Sequence, residues 1–544
     1  MIYCRLTDYI IANMGKSPLG RSVRQMSEKN NGGAAKTISA MAIIIMIAKV
    51  MGLLRETLVA GLYGQGTESD MINTATQIPL LFFDMVLGVA ILSTFVPIFN
   101  KRIENEGKAA ALDFANNFAS IVGVISVAAA ALGMIFANKL VGIMVPGYAD
   151  IPGKVEQTAT LLRILFPSIV FTAAAYIAVG ILQSFGEFTI PSLISVVSNG
   201  IMILYLILFG NKFGLVGVAV SMLIAWAMQL AVQVPHLIKF GCRYKFRFDI
   251  KDKGIKEAAL IALPVLVSSW VQPLCNVINM SFGSNIGDGA VSALNWANKI
   301  YIIMVGVFAY AITNFIFPKL SRLSGEQHGG EFAETARNSV GIITAIIGIV
   351  CALFLALSNP IISVVFERGE FTAQNAAVTG GALFFYSFGM IGYAVCEVLN
   401  KSFYALSDGK TPMFTSIIGI IINLASAAIL VGGLKMQVGG LALAAAISSN
   451  VMAVCLLYMI NRRRPQTVTH KFVINLIKII ICSAAAFAAA KLTDTFAAKI
   501  GTGTILTLIR LCVCSVPAVV IYTGLGYVLG VTEIRFVFEK LRRK

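Results

Sequence analysis

The chain has 544 residues, 57% of them hydrophobic and only 13% charged, with a formal net charge of +17. A water-soluble protein carries about a quarter charged residues, so this composition argues against a soluble enzyme. The alternating ten-residue segments of a membrane β-barrel are also missing. Apolar stretches recur from end to end, each matching the roughly 30 Å of hydrocarbon that a helix must cross, and the expected class is an all-α polytopic membrane protein.

In chain order, residues 1–36 read as a cytoplasmic N-terminal tail with Arg5, Lys16, Arg21, Arg24 and Lys29, and without the sustained apolar core of a signal peptide. About fourteen spans follow. They are expected at 37–63, 72–99, 114–137, 157–184, 190–210, 214–237, 256–283, 291–318, 336–358, 375–403, 412–432, 439–460, 471–491 and 504–530. A basic cytoplasmic linker, 238–255, separates spans 6 and 7, and a basic cytoplasmic tail, 531–544, ends the chain.

The excess positive charge has a position. Roughly thirty Lys and Arg fall on the even-numbered connections and the two tails, and about seven on the other side. Lys101/Arg102, Lys239 to Lys256 and Arg462-Arg463-Arg464 are examples. By the positive-inside rule both termini are cytoplasmic, and the charge reads as a topology signal with no compact basic domain for nucleic acid. The nine cysteines are scattered and suggest no disulfide framework, and no metal site or cofactor is expected.

The chain repeats weakly at a separation of about 220 residues. "LQSFGEFTIP" (182–191) has a counterpart in "NKSFYALSDGKTP" (400–412), each followed by an asparagine in the next span, Asn199 and Asn423. Six spans per period give two pseudo-symmetric lobes, an N-lobe at 37–237 and a C-lobe at 256–460, with two further helices in 461–530. Parallel repeats of this kind belong to transporters, with the substrate path between the lobes. Spans 1 and 7 open the halves and are expected to be interrupted, at Gly52 and at Pro264 and Pro273 respectively.

Charged residues inside spans are costly, about 2.5–3.5 kcal/mol each at the centre on insertion scales, and usually face a cavity or a partner. Lys49, Arg55 and Glu56 in span 1 and Lys299 in span 8 are the candidate substrate-binding set. Asp84 in span 2 and Glu397 in span 10 are gating or structural candidates, as is Asp70 just before span 2. Lys478 and Arg510 read as snorkelling. No phosphate loop, H-E-x-x-H or G-x-S-x-G occurs. The chain is therefore not expected to be an enzyme, and transport would draw on membrane potential or a coupling ion, Na+ or H+.

Several motifs in order and spacing carry a resemblance: "GLLRETLVAGLYGQGTESD" (52–70), "STFVPIF" (93–99), "VPGYAD" (145–150), "SALNWANK" (292–299), "VVFERGEFT" (364–372) and "SFYALSDGKTP" (402–412). The chain resembles the MurJ family of lipid II flippases in the MOP exporter superfamily. That resemblance implies fourteen helices, a V-shaped cavity between the lobes and a groove for the lipid tail at 461–530. It also implies an undecaprenyl-linked glycan substrate, contact with membrane lipids and with cell-wall synthesis machinery, and the bacterial cytoplasmic membrane.

Residue by residue, Arg55 falls on the family's cavity arginine, Glu56 replaces an aspartate and Asp70 matches an acidic residue. Lys49 and Lys299 stand where arginine is usual, while Phe83 and Gly88 replace a span-2 arginine and a glutamate. The alternatives are a flippase for another polyprenyl-pyrophosphate glycan of capsule or teichoic type, a MATE-like cation or drug antiporter, and a scaffold without transport.

Overall fold

The computed structural model describes residues 41, 43–84, 88, 91–260, 271–498 and 503–542. Among these, regular structure is helical apart from one antiparallel bridge between Arg368 and Phe371. The N-lobe begins with α1 (43–63) and α2 (Thr67–Phe83). A π-helical turn, Ile91–Phe95, leads into α3 (Val96–Ile135). Then come α4 (Ala137–Met144), α5 (Lys154–Leu165), α6 (Ser168–Ser184), α7 (Thr189–Leu208), α8 (Gly214–Ala231) and the short α9 (Val234–Lys239).

The C-lobe comprises α10 (253–260), α11 (Val271–Ser284), α12 (Ala290–Arg322), α13 (Gly329–Phe366), α14 (Ala373–Ser387), α15 (Met390–Ala405), α16 (Lys410–Ala427) and α17 (Gln437–Arg463). Two further helices, α18 (His470–Ala497) and α19 (Thr504–Leu529), and an amphipathic α20 (Thr532–Arg542) complete the chain.

Ten described helices are long and apolar enough to cross a membrane, or eleven if the bent pair α14 and α15 is one span. The three expected spans outside that number, 37–63, 72–99 and 256–283, each contain residues that are not described. The proline expected to break span 7, Pro264, lies among these, as does the tail 1–36. Pro273 is described and is buried within α11.

Helix α3 is two helices joined at Gly107, whose φ of 85° only glycine adopts without penalty. The arm before it extends span 2 and carries Lys101 and Arg102 to Glu257 and Asp252, at 2.9 and 2.8 Å. The linker then runs extended along α3. The amides of Arg247 and Asp249 donate to Ser120 Oγ (3.1 Å) and Asn117 Oδ1 (2.8 Å).

Three apolar cores hold the bundle. The N-lobe core stacks Phe95 against Phe99, Phe114 and Phe118, and the C-lobe core centres on Trp296, Phe366 and Phe371. A third joins α13, α18 and α19 through small residues such as Ala352, Ala486, Ala490, Cys514 and Ala518. Small side chains let helices approach closely where lipid supplies no hydrophobic drive. Helix α1 lies on the seam: Ala60 belongs to the C-lobe core while Val59 and Tyr63 belong to that of the N-lobe. Arg510 does not snorkel as expected, because its Nε donates to Asp494 Oδ1 at 2.6 Å.

The interruption expected at Gly52 does not occur. Helix α1 runs unbroken through it, and Gly52 instead packs on α7, where a Cβ would lie 3.5 Å from Asn199 Nδ2. That amide in turn donates to the Ala48 carbonyl at 3.2 Å. Matching breaks do exist elsewhere, between α5 and α6 at Phe166-Pro167 and between α14 and α15 at Phe388-Gly389. They are separated by about one sequence repeat.

At the second break α14 and α15 bend by 50°. Backbone groups freed inside a bilayer must be satisfied by protein, and here they are. Asn450 Nδ2 donates to the Phe388 carbonyl (2.9 Å), Cys351 Sγ to that of Ser387 (3.1 Å) and Tyr301 Oη to that of Gly389 (3.4 Å).

Connections of the two kinds emerge at opposite ends of the bundle, which gives a labelling test. Single cysteines replacing the exposed Asp150 and Asn285 should react with a membrane-impermeant maleimide on intact cells, in a background lacking the native cysteines. One at exposed Gln466 should react only after permeabilisation. The reverse pattern would invert the topology expected from the basic connections.

Candidate functional site

A cavity of about 300 Å³ lies between the lobes, bounded by α1, α2 and α8 on one side and α11 and α12 on the other. Three of the four expected substrate residues meet in it. Glu56 Oε1 accepts from Arg55 at 2.6 Å and from Lys299 Nζ, on the opposite lobe, at 2.8 Å. Two cations thus share one carboxylate, and the group carries one surplus positive charge. Arg55 and Lys299 keep partly exposed side chains, whereas Glu56 is buried. The ion pair is inter-lobe structure and cavity lining at once.

Lys49 stands apart from this group. It lies on α1 toward the basic end of the bundle, exposed, and its Nζ comes within 3.9 Å of the Cβ position of Gly306 on α12. Lys49 and Gly306 are each about two turns from Arg55 and Lys299 along their own helices. Asp84 lines the cavity, while Glu397 on α15 is not among its lining residues.

The two departures at Phe83 and Gly88 are physically linked. Phe83 is buried in the N-lobe core against Tyr176, with ring centroids 5.4 Å apart. A Cβ at position 88 would approach the Phe83 ring to 3.1 Å. An aromatic at 83 and a glycine at 88 therefore pack as a pair, and neither contributes charge to the cavity.

At the bundle end away from the basic connections, a buried network ties the lobes together. Asp70 Oδ2 accepts from Lys154 Nζ at 3.1 Å and from the Gly289 amide at 2.9 Å. Its other oxygen accepts from the Ser292 amide at 2.8 Å. A carboxylate there satisfies orphan N–H groups at the start of α12 and favours its dipole. Lys154 also reaches Asp288 Oδ1 at 2.6 Å, and Thr67 Oγ1 donates to Asp288 Oδ2 at 2.7 Å. Partial burial pushes the Asp288 carboxyl up, but the Lys154 ammonium and the Thr67 hydroxyl outweigh it and hold it below the usual carboxylate range.

The same end of α1 is stitched to the turn after α13. Glu370 N donates to the Gly61 carbonyl at 2.9 Å. A Cβ at Gly64 would meet the Glu370 carbonyl at 2.7 Å, so glycine is required by the close approach as well as by its φ of 61°.

Sequence reasoning placed Arg55, Glu56 and Lys299 together and singled out Asp70. It missed Lys154 and Asp288, which sit in loops or at a helix start where a charge is unremarkable. Only the fold brings them to Asp70. No cluster that could hold a metal ion occurs among the described residues.

Comparison with known proteins places the chain in a family. The family model described as lipid II flippase MurJ matches residues 59–510, a segment that begins just after Lys49, Arg55 and Glu56. A probable lipid II flippase MurJ of Rickettsia prowazekii is 28% identical over 401 residues, covering 73% of this chain and 78% of the relative. That of Bdellovibrio bacteriovorus is 24% identical over 504 residues, covering 92% and 95%.

A solved lipid II flippase MurJ in an inward closed conformation superposes with a TM-score of 0.75 at 22% identity, covering 90% of this chain and 98% of the other. An inward-facing MATE family transporter of the MOP superfamily gives 0.66 at 16% identity, covering 79% and 98%. At these identities the structures speak to the fold alone. The family model spans most of the chain, and the protein is a membrane protein belonging to the lipid II flippase MurJ family.

Proposed function

We propose that this protein carries lipid II, the polyprenyl-pyrophosphate-linked peptidoglycan precursor, from the cytoplasmic to the outer leaflet by alternating access. The observation that carries the reading is the meeting of Arg55 and Lys299, from opposite sides of the inter-lobe cavity, on the single carboxylate of Glu56. A pyrophosphate is a stronger bidentate partner for a guanidinium than one shared carboxylate oxygen, so substrate competes with Glu56 for both cations. The lipid tail stays in hydrocarbon, along α18 and α19, while the head crosses in the wet path.

The charges form a sequence along that path. Lys49, nearer the basic end, meets the anionic head first, and Arg55 with Lys299 receives it at the centre. A cavity of about 300 Å³ is at the lower limit for even a drug-sized ligand. A glycopeptide head is larger, so the lobes must separate to admit it. The Asp70–Lys154–Asp288 network is the closed gate on the far side, opened once the head has displaced the central ion pair. Without a nucleotide motif, the cycle draws on membrane potential or an Na+ or H+ gradient.

Complementation of a bacterium depleted of its lipid II flippase, scored by lipid II exposed at the cell surface, tests the assignment. Failure to restore exposure despite normal abundance would sink it.

Variants at the triad separate binding from support. Arg55→Ala leaves Glu56 paired with Lys299, so abundance should stay near wild type while flipping is lost. Lys299→Arg should be tolerated, and Arg55→Lys less so, because a point charge loses the planar fork. Glu56→Ala leaves two adjacent cations uncompensated and should lower abundance, since breaking a buried pair costs about 3–5 kcal/mol. If Arg55→Ala depletes the protein and adding Glu56→Ala restores both level and activity, the charges are struts only.

The gate has its own check. Cysteines replacing Thr67 and Asp288, whose side chains touch, should be joined by a short thiol cross-linker. Joining them should stop flipping, and cleaving the linker should restart it. Continued flipping with the link intact would remove this network from the cycle.

A further inference from the structure

Three helices each present a pair of carboxamides to the central cavity at one-turn spacing: Asn73 and Gln77 on α2, Asn276 and Asn279 on α11, Asn295 and Asn298 on α12. Residues three or four apart share a helix face, so each pair is aimed as a unit. The bland account of amides in membrane helices is hydrogen bonding between helices. It holds for one couple: Asn295 Nδ2 donates to Asn73 Oδ1 at 2.8 Å across the lobes, and Asn73 Nδ2 donates to the Ser69 carbonyl at 2.8 Å.

It does not hold for the other four. Gln77, Asn276, Asn279 and Asn298 make no hydrogen bond among the described residues. Asn279 Oδ1 is fully shielded and unpartnered. An unpaired amide costs about 1–3 kcal/mol when buried. Asn279 Oδ1 is such a group, and it shares the cavity with three half-buried amides, Gln77 on the α2 side and Asn276 and Asn298 on the facing helices, which together call for a ligand.

The chemistry of that ligand follows from theirs. A carboxamide is neutral and offers two donors and an acceptor, which suits hydroxyl and amide groups and gives no advantage to a phosphate over water. The cations of the same cavity, Arg55 and Lys299, suit phosphate. Resting on the flippase reading above, we propose that Gln77, Asn276, Asn279 and Asn298 form a neutral subsite for the hydroxyl- and amide-bearing head of the substrate. This subsite is separate from the cationic one that takes the pyrophosphate. It would let the protein distinguish a loaded carrier from the bare polyprenyl pyrophosphate, which has the same kind of anionic group and the same tail. A site built on hydrogen bonds rejects ligands lacking the matching groups far better than an apolar pocket rejects a missing methylene.

The test is equilibrium binding to the full-length protein in lipid nanodiscs with three ligands: polyprenyl pyrophosphate alone, its N-acetylated disaccharide derivative, and the disaccharide-pentapeptide derivative. The variants are Asn298→Leu, the double change Asn276→Leu with Asn279→Leu, and Arg55→Ala. Each lost amide contact should weaken the glycan-bearing ligands about three- to tenfold and leave the glycan-free ligand unchanged. Arg55→Ala should weaken all three.

A loss already present with the disaccharide assigns the amides to sugar groups. A loss that appears only with the pentapeptide assigns them to peptide groups. Amide variants that weaken all three ligands alike, or none, overturn the subsite while leaving the flippase reading in place. If the unaltered protein binds none of the three, the flippase reading itself fails. Circular dichroism and monodisperse elution of each variant exclude misfolding, and Asn298→Gln, which keeps the amide, should recover glycan binding.

Discussion

A charge inside hydrocarbon needs a partner, and Glu56 is where that requirement joins the two lobes. Its carboxylate is shared by Arg55 beside it and Lys299 across the cavity, so Lys299 takes its counter-charge from the opposite lobe. An ion pair of this kind is weak evidence for stability, because desolvation offsets much of its Coulombic gain. It is well suited to exchange. An anionic ligand that replaces the carboxylate meets two cations already positioned, and the structure need not supply new charge as the ligand enters.

The same economy of polar groups shapes the rest of the bundle. At the break between α14 and α15, the freed carbonyls take donors from Asn450, Cys351 and Tyr301. At the far end, Asp70 accepts from two amides at the start of α12 and from Lys154. The four cavity amides depart from this pattern, and a transport path is where polar groups without protein partners are expected.

The packing gives each lobe an aromatic core of its own, and α1 contributes to both. The contacts between lobes mix apolar ones, such as Met280 and Val291 against the N-lobe core, with the directional polar ones of Glu56 and Asp70. Phe83 and Gly88 belong to the N-lobe core rather than to the path. That local packing leaves the Arg55–Glu56–Lys299 group intact.

The all-helical membrane class was legible in the chain, because it rests on local composition and periodicity that the bilayer itself enforces. The central charges were legible for the same reason: Arg55, Glu56 and Lys299 stand out against apolar neighbours. The placement of the breaks was not. Gly52 looked like a break and is a packing contact with Asn199, while the breaks fall at Phe166-Pro167 and at Phe388-Gly389, and at the second, bent by 50°, neighbouring helices supply the missing hydrogen bonds. Lys154 and Asp288 were invisible because a charge in a loop carries no cost in sequence. The burial of Lys154, and its pairing with residues more than 80 positions away, exist only once the helices close over it. Lys49 likewise read as a member of one cluster, yet two helical turns set it apart. Spacing along one helix can be read from a sequence, but distance across two packed helices is decided by the tertiary structure.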